Sequence, residues 1–227
     1  MHLISLLDAE QLKFIHRELK KIEWEDGRDT AQAGAKDIKS NLQITPGNSR
    51  GIPLLKGVVK VLKENNTVNI LAMPRKVIAP RFAKYTGGGA YGWHVDAPFM
   101  EQVRTDLSLT IFLSDPDSYE GGELQLDYGT TAGLVRVKGQ AGQMLLYPTG
   151  VLHQVTPVTS GERLVFVGWI NSFIQNHATR DSLSSLNNSA LRLANMIGKD
   201  EINKDDALKL LGRIHESSMN LTRDLIS

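Results

Sequence analysis

The sequence predicts a mainly β protein with flanking helices (α+β), in which an antiparallel core of jelly-roll type is followed by C-terminal helices. Three observations predict it. From Arg75 on, β-prone runs recur between glycines and prolines, as RKVIAPRFAKY, LSLTIFLS, GELQL, LVRVK, QMLLYP, HQVTPV and RLVFVGWI, the texture of an antiparallel sandwich or barrel. At both ends, apolar residues recur at helical spacing instead. The 227 residues, 41% hydrophobic and 22% charged, suffice for one sizeable globular core.

In chain order, Leu3 to Leu7 is apolar, and Asp8 has the character of an N-cap with Gln11 three residues on. Leu12, Ile15, Leu19 and Ile22 then mark an amphipathic helix over residues 9–22. Glu25 to Asn48 is polar and rich in Gly, Asp and Lys, which predicts an irregular excursion. A second helix is expected over Ile52 to Glu64, ended by Asn65 and Asn66. The β core follows at about 75–172. Beyond Asn176, Leu183, Leu186, Ala190, Leu193, Ala194 and Ile197 fall on one side of a helix, and another is expected from Lys204 to about Ser217. The expected organisation is therefore a catalytic domain over 1–176 and a C-terminal helical extension over 177–227. The extension's apolar stripe needs cover, either from the core's own flank or in a homo-oligomer.

Composition excludes several classes of function. With 26 basic and 25 acidic residues spread along the chain, no basic stripe for nucleic acid is present. Without cysteine, disulfides are impossible and a bound metal takes nitrogen and oxygen ligands. The N-terminal MHLISLLDAEQLKF has no basic leader, and no run of about 18 apolar residues suggests a membrane span. The expectation is a cytoplasmic protein with neither membrane nor nucleic-acid partner.

The chemistry concentrates at His94-Val95-Asp96. On extended backbone, residues i and i+2 point to one side, so an imidazole and a carboxylate come together while Val95 faces away. His153 stands 57 positions past Asp96, after Tyr-Pro-Thr-Gly, in another β-prone run. A jelly roll brings such distant strands together, giving a facial 2-His-1-carboxylate set with open metal positions. Arg163 opens RLVFVGWI ten residues later. If HQVTPV and RLVFVGWI form a hairpin across Val158 to Glu162, Arg163 adjoins the strand of His153. Its guanidinium can then grip the distal carboxylate of a dicarboxylic keto acid that chelates the metal. Each residue alone has an ordinary reading as a packed or surface side chain; order, spacing and β context together give the set its weight.

These stretches, FAKYTGGGAYGWHVD, LSLTIFLSDPDSYEGGELQL and GQMLLYPTGVLHQVTPVTSGERLVFVGWI, resemble the prolyl-4-hydroxylase-like Fe(II)/2-oxoglutarate dioxygenases, and among them the bacterial PKHD-type hydroxylases associated with iron uptake. The resemblance covers about Arg75 to Ser172. It implies a double-stranded β-helix (jelly roll), His94, Asp96 and His153 as iron ligands, and Arg163 as partner of the 2-oxoglutarate carboxylate. It implies Tyr85, nine residues before His94, as a further co-substrate contact; a tyrosine packed at a strand end is the other reading. It also implies O2 as oxidant, succinate and CO2 as products and L-ascorbate as reductant. The substrate would be a protein residue such as proline, or a small molecule linked to iron uptake and iron homeostasis.

Among the neighbours, Gly87 to Gly89 lack the Lys and Ser/Thr of a phosphate-binding loop, and Gly121-Gly122-Glu123 is expected to turn into a strand. Trp169 is in phase with Arg163 and belongs either to the core or to the pocket wall. Thr110 and Phe112 share a face, but a phenylalanine ring offers the co-substrate no polar contact. His2, His16, His177 and His215 have no ligand spacing. Two other classes fit part of the pattern: a cupin-like metal-binding or iron-sensing module, which would not need Arg163, and a zinc or manganese hydrolase or isomerase.

Overall fold

The computed structural model describes residues 1–30, 36–130, 132–199 and 203–226. The chain forms two compact units, Met1–Asn65 with Lys76–Asn171, and Asn66–Arg75 with Ser172–Ser227.

The first unit contains two larger antiparallel sheets and a two-stranded ribbon of Phe99–Met100 and Val103–Arg104. The larger orders its strands as His2–Ser5, Gln143–Pro148, Leu107–Phe112, Val158–Ser172, Pro74–Thr86, Leu42–Ile44 and Glu25–Asp26, and Tyr119–Gly121 adds to the side of Val158–Ser172. The smaller runs Leu134–Val137, Leu124–Asp127, Leu152–Val155, Ala90–His94 and Lys39–Ser40. Every residue of Leu107–Phe112 is buried, as expected of a central strand covered on both faces. One buried cluster draws Ala83, Tyr85, Phe112, Leu145, Tyr147 and Val165 from the larger sheet, and Leu124, Leu126 and Val155 from the smaller. The core therefore lies between the sheets, as in a jelly roll.

Helix α1 (Ala9–Leu19) starts where Asp8 caps it: Gln11 N donates to Asp8 Oδ1 at 2.8 Å, and Asp8 N donates back to Gln11 Oε1 at 2.9 Å. It stops short of Ile22, which is buried just beyond its end. Helix α2 (Ile52–Glu64) buries Leu54, Leu55, Val58 and Leu62 and is C-capped by Asn65.

The second unit contains α3 (Asn66–Ala72), α4 (His177–Gly198) and α5 (Lys204–Leu225). Asn66 opens α3 where termination was expected. Ser184 Oγ donates to Ile70 O at 3.0 Å, Arg180 Nη1 to Ile174 O at 2.8 Å, and Ser218 Oγ to Asn187 Oδ1 at 2.6 Å. Helix α5 runs eight residues past the expected end at Ser217. Of the apolar stripe on α4, Leu183 is fully buried, while Ala194 is exposed.

Two further expectations are corrected. The polar segment from Glu25 contains the strands Glu25–Asp26, Lys39–Ser40 and Leu42–Ile44, which are too short to show a period; residues 31–35 of it lie outside the described residues. HQVTPV and RLVFVGWI do not form a hairpin. Leu152–Val155 pairs with Ala90–His94 and Leu124–Asp127, whereas Val158–Ser172 belongs to the larger sheet. The stretch Val158 to Glu162 is strand, not turn, and pairs with Tyr119–Gly121. Gly161 serves this close approach: with φ +75°, a Cβ there would strike Ser118 O.

Candidate functional site

The two histidines meet as a cross-strand pair. His94 ends Ala90–His94 and His153 lies in Leu152–Val155, and their Cα atoms are register partners. The ring centroids are 4.2 Å apart. Asp96 follows immediately beyond the strand end, its Oδ1 3.8 Å from His94 Nε2 and its Oδ2 3.7 Å from His153 Nε2. Among the described residues, these three can offer ligand atoms that all lie within 4.8 Å of one another. Val95 between them is half exposed.

Each ring is fixed from behind. His94 Nδ1 lies 2.7 Å from Gly92 O, and His153 Nδ1 lies 2.9 Å from Val151 O. A carbonyl can only accept, so Nδ1 carries the proton and Nε2 presents its lone pair to the cluster. Ser108 Oγ donates to Asp96 Oδ2 at 2.7 Å, and Tyr91 stacks on His94 at 3.6 Å between centroids. Burial, reinforced by the neighbouring His153, pushes the His94 pKa down to about 4. The imidazole is then neutral and able to ligate at physiological pH.

Arg163 reaches the same cavity from the larger sheet. That cavity, about 590 Å³, is lined by His94, Asp96, His153, Arg163, Tyr85 and Trp169 among others. Arg163 is only 1% exposed, with its guanidinium 5.0 Å from the centre of the Tyr85 ring and 6.0 Å from that of Phe112. Its Nε and Nη1 have no hydrogen-bond partner among the described residues. Such orphaned donors are costly unless a ligand completes them. Tyr85 is buried, which raises its pKa against the opposing charge of Arg163. Gly122, at φ +63°, makes room, because a Cβ there would come within 2.9 Å of Arg163 Cδ.

Thr110 lines the cavity and Phe112 packs beneath Arg163. Trp169 lines the cavity too, although it is largely buried. The remaining histidines stand apart: His16 Nε2 meets Leu113 O at 2.8 Å and His177 pairs with Asp181.

Sequence reasoning missed Ser108, Tyr91, Lys39 and Arg81. Ser108 shares the face of Thr110 and Phe112 two residues back, and that spacing could have found it. Tyr91 and His94 stack by a three-residue offset that simple alternation does not predict. Lys39 and Arg81 are single cations whose burial no local pattern announces.

The family model described as the 2OG-Fe(II) oxygenase superfamily matches residues 80–171. A PKHD-type hydroxylase of Hyphomonas neptunium is 41% identical over 194 residues, covering 84% of this chain and 86% of its own. The PKHD-type hydroxylase YbiX of Escherichia coli is 36% identical over 228 residues, covering 98% of this chain and 97% of its own. A prolyl-4-hydroxylase from Pseudomonas putida shares the fold, with a TM-score of 0.52 at 22% identity over 75% of this chain and 91% of its own. The chain belongs to the PKHD-type hydroxylases. It is thus an oxidoreductase whose family chemistry uses Fe(II), 2-oxoglutarate and O2.

Proposed function

We propose that His94, Asp96 and His153 hold the Fe(II), and that Arg163, with Tyr85 beside it, holds the distal carboxylate of 2-oxoglutarate. The observation that carries this reading is the buried Arg163, with Nε and Nη1 unpartnered, in the cavity that also holds the three ligand atoms. The donor set fits: two neutral imidazoles and a carboxylate leave coordination positions open, as non-haem iron oxygenases need. A buried guanidinium fits a carboxylate through two parallel N–H donors.

When bound, iron and 2-oxoglutarate supply the oxidation of a C–H bond by O2, with succinate and CO2 released. The protein's own task is positioning. Gly92 and Val151 carbonyls hold the imidazole tautomers, and Ser108 holds the Asp96 carboxylate. Tyr147 flanks His153 edge-on at 5.3 Å between centroids, and Tyr91 stacks on His94, so an aromatic ring braces each imidazole. No side chain is required as a general base. A metal-binding or iron-sensing module of cupin type would not need Arg163.

In the same reading L-ascorbate returns iron oxidised in idle turnover to Fe(II), and the enzyme works in the cytoplasm. The unit Met1–Asn65 with Lys76–Asn171 is the catalytic one, and α4 and α5 associate two copies of the chain. Binding measurements under anaerobic conditions test the assignments. His94→Ala and Asp96→Ala should each weaken Fe(II) binding by about a hundredfold. Arg163→Met should weaken 2-oxoglutarate by about a hundredfold while Fe(II) affinity stays within a few fold. Equal loss of both ligands in Arg163→Met would assign Arg163 to the fold instead.

A further inference from the structure

Two cations in the cavity are not used by the assignments above. Lys39 comes from the smaller sheet and Arg81 from the larger, and both line the cavity with His94, Asp96 and His153. Lys39 is 5% exposed, lies 5.1 Å above the Tyr91 ring and donates to Thr30 Oγ1 at 2.8 Å. Arg81 lies 5.1 Å from the centre of the Trp169 ring and donates through Nε to Ala79 O at 3.2 Å. Neither has an ion-pair partner among the described residues.

The cavity's carboxylates act on these cations only through space, Asp96 on both and Glu101 on Arg81, and make their close contacts elsewhere. Asp96 faces the two histidines and Ser108, and Glu101 pairs with Lys76 at 3.4 Å. Once iron and a doubly charged 2-oxoglutarate join Asp96 and Arg163, those four sum to no net charge. Lys39 and Arg81 are then left as an uncompensated pair in a desolvated site, which is costly without an anion to face. Burial, with Arg81 adding to it, pushes the Lys39 pKa down to about 7, and burial lowers that of Arg81. Beside Arg81, the Trp169 indole Nε1 is a further donor with no partner among the described residues, on a side chain 8% exposed.

We propose that the substrate oxidised here presents an oxyanion, a carboxylate or a phosphate group, to Lys39, Arg81 and the Trp169 N–H. This rests on the iron and 2-oxoglutarate assignments above. Lys39 and Arg81 would orient the substrate so that a C–H bond near its anionic group faces the metal. They act as specificity determinants and take no part in the oxidation itself.

Isothermal titration of the anaerobic protein, loaded with Fe(II) and saturating 2-oxoglutarate, tests this with N-acetylglycine, its neutral amide N-acetylglycinamide, and methyl phosphate. At least one anion should bind about tenfold more tightly than the amide, and the tighter of the two identifies the oxyanion. Lys39→Met and Arg81→Gln should each remove most of that preference, and Arg81→Lys should keep much of it. Affinity for 2-oxoglutarate should stay within about twofold in all three variants, which also reports that they fold. Should Lys39→Met fail to fold, the Arg81 pair carries the test alone.

The proposal is overturned if the wild type binds 2-oxoglutarate yet shows no preference for either anion. It is equally overturned if the variants keep the preference, or lose 2-oxoglutarate along with the anion, since the cations would then serve the co-substrate. A wild type that does not bind 2-oxoglutarate sinks the earlier assignment and this proposal with it, and is distinguishable from failure of the oxyanion site alone.

Discussion

Gly122 and Arg163 depend on each other. The glycine has positive φ, and a methyl group at its Cβ would press on Arg163 Cδ, the Tyr119 ring and Val158. Gly122→Ala should therefore cost about 1–3 kcal/mol of stability and displace the guanidinium. Its signature is 2-oxoglutarate affinity weakened by about tenfold with Fe(II) affinity retained; unchanged 2-oxoglutarate affinity would mean that Arg163 does not need this space. His94 makes a different prediction. Its folded-state pKa is pushed down to about 4 from an ordinary 6.5. Between those values the unfolded chain takes up a proton at this ring and the folded chain does not. Stability is thus complete above 6.5 and falls as pH drops toward 4, by up to about 3 kcal/mol. Thermal melts of the metal-free protein across that window should show the loss, and His94→Gln should flatten this part of the profile. An identical profile in the variant would contradict the burial argument.

How far the elements could be read in the sequence depended on their length and regularity. Helix α2 begins and ends where its apolar spacing and Asn65 predict, and α1 is capped by the Asp8 and Gln11 pair that the capping box predicts. Lys39–Ser40 and Leu42–Ile44 were illegible because strands of two or three residues carry no period and borrow their stability from neighbours. The His94 and Asp96 spacing was legible because extended backbone dictates it locally. That Arg163 sits in the sheet opposite His153 was not, since pairing partners are decided by long-range packing and the glycine at 161 reads as a turn. On α4 and α5, Leu191, Met196, Leu208, Leu210, Met219 and Leu221 are exposed, an amount of apolar surface that invites cover. Sedimentation of the full chain should show a dimer, and Leu208→Glu with Leu221→Glu should give monomers; a monomeric wild type would rule out the association.

In the unit Met1–Asn65 with Lys76–Asn171, the two larger sheets each bring different residues to the cavity. The smaller contributes His94 and His153, with Asp96 just past its strand end, and the larger contributes Tyr85 and Arg163. The proposed metal ligands and the proposed co-substrate contacts therefore line one cavity of about 590 Å³. Among the described residues no helix is long and apolar enough to cross a membrane. The most direct test of the account is succinate formation by protein reconstituted anaerobically with Fe(II) and 2-oxoglutarate and then exposed to O2. The account predicts a 2-oxoglutarate-dependent metal-to-ligand absorption band before O2 enters and succinate afterwards, with Arg163→Met losing both at co-substrate concentrations that saturate the wild type. Absence of both band and succinate in wild-type protein shown to hold its metal would contradict it.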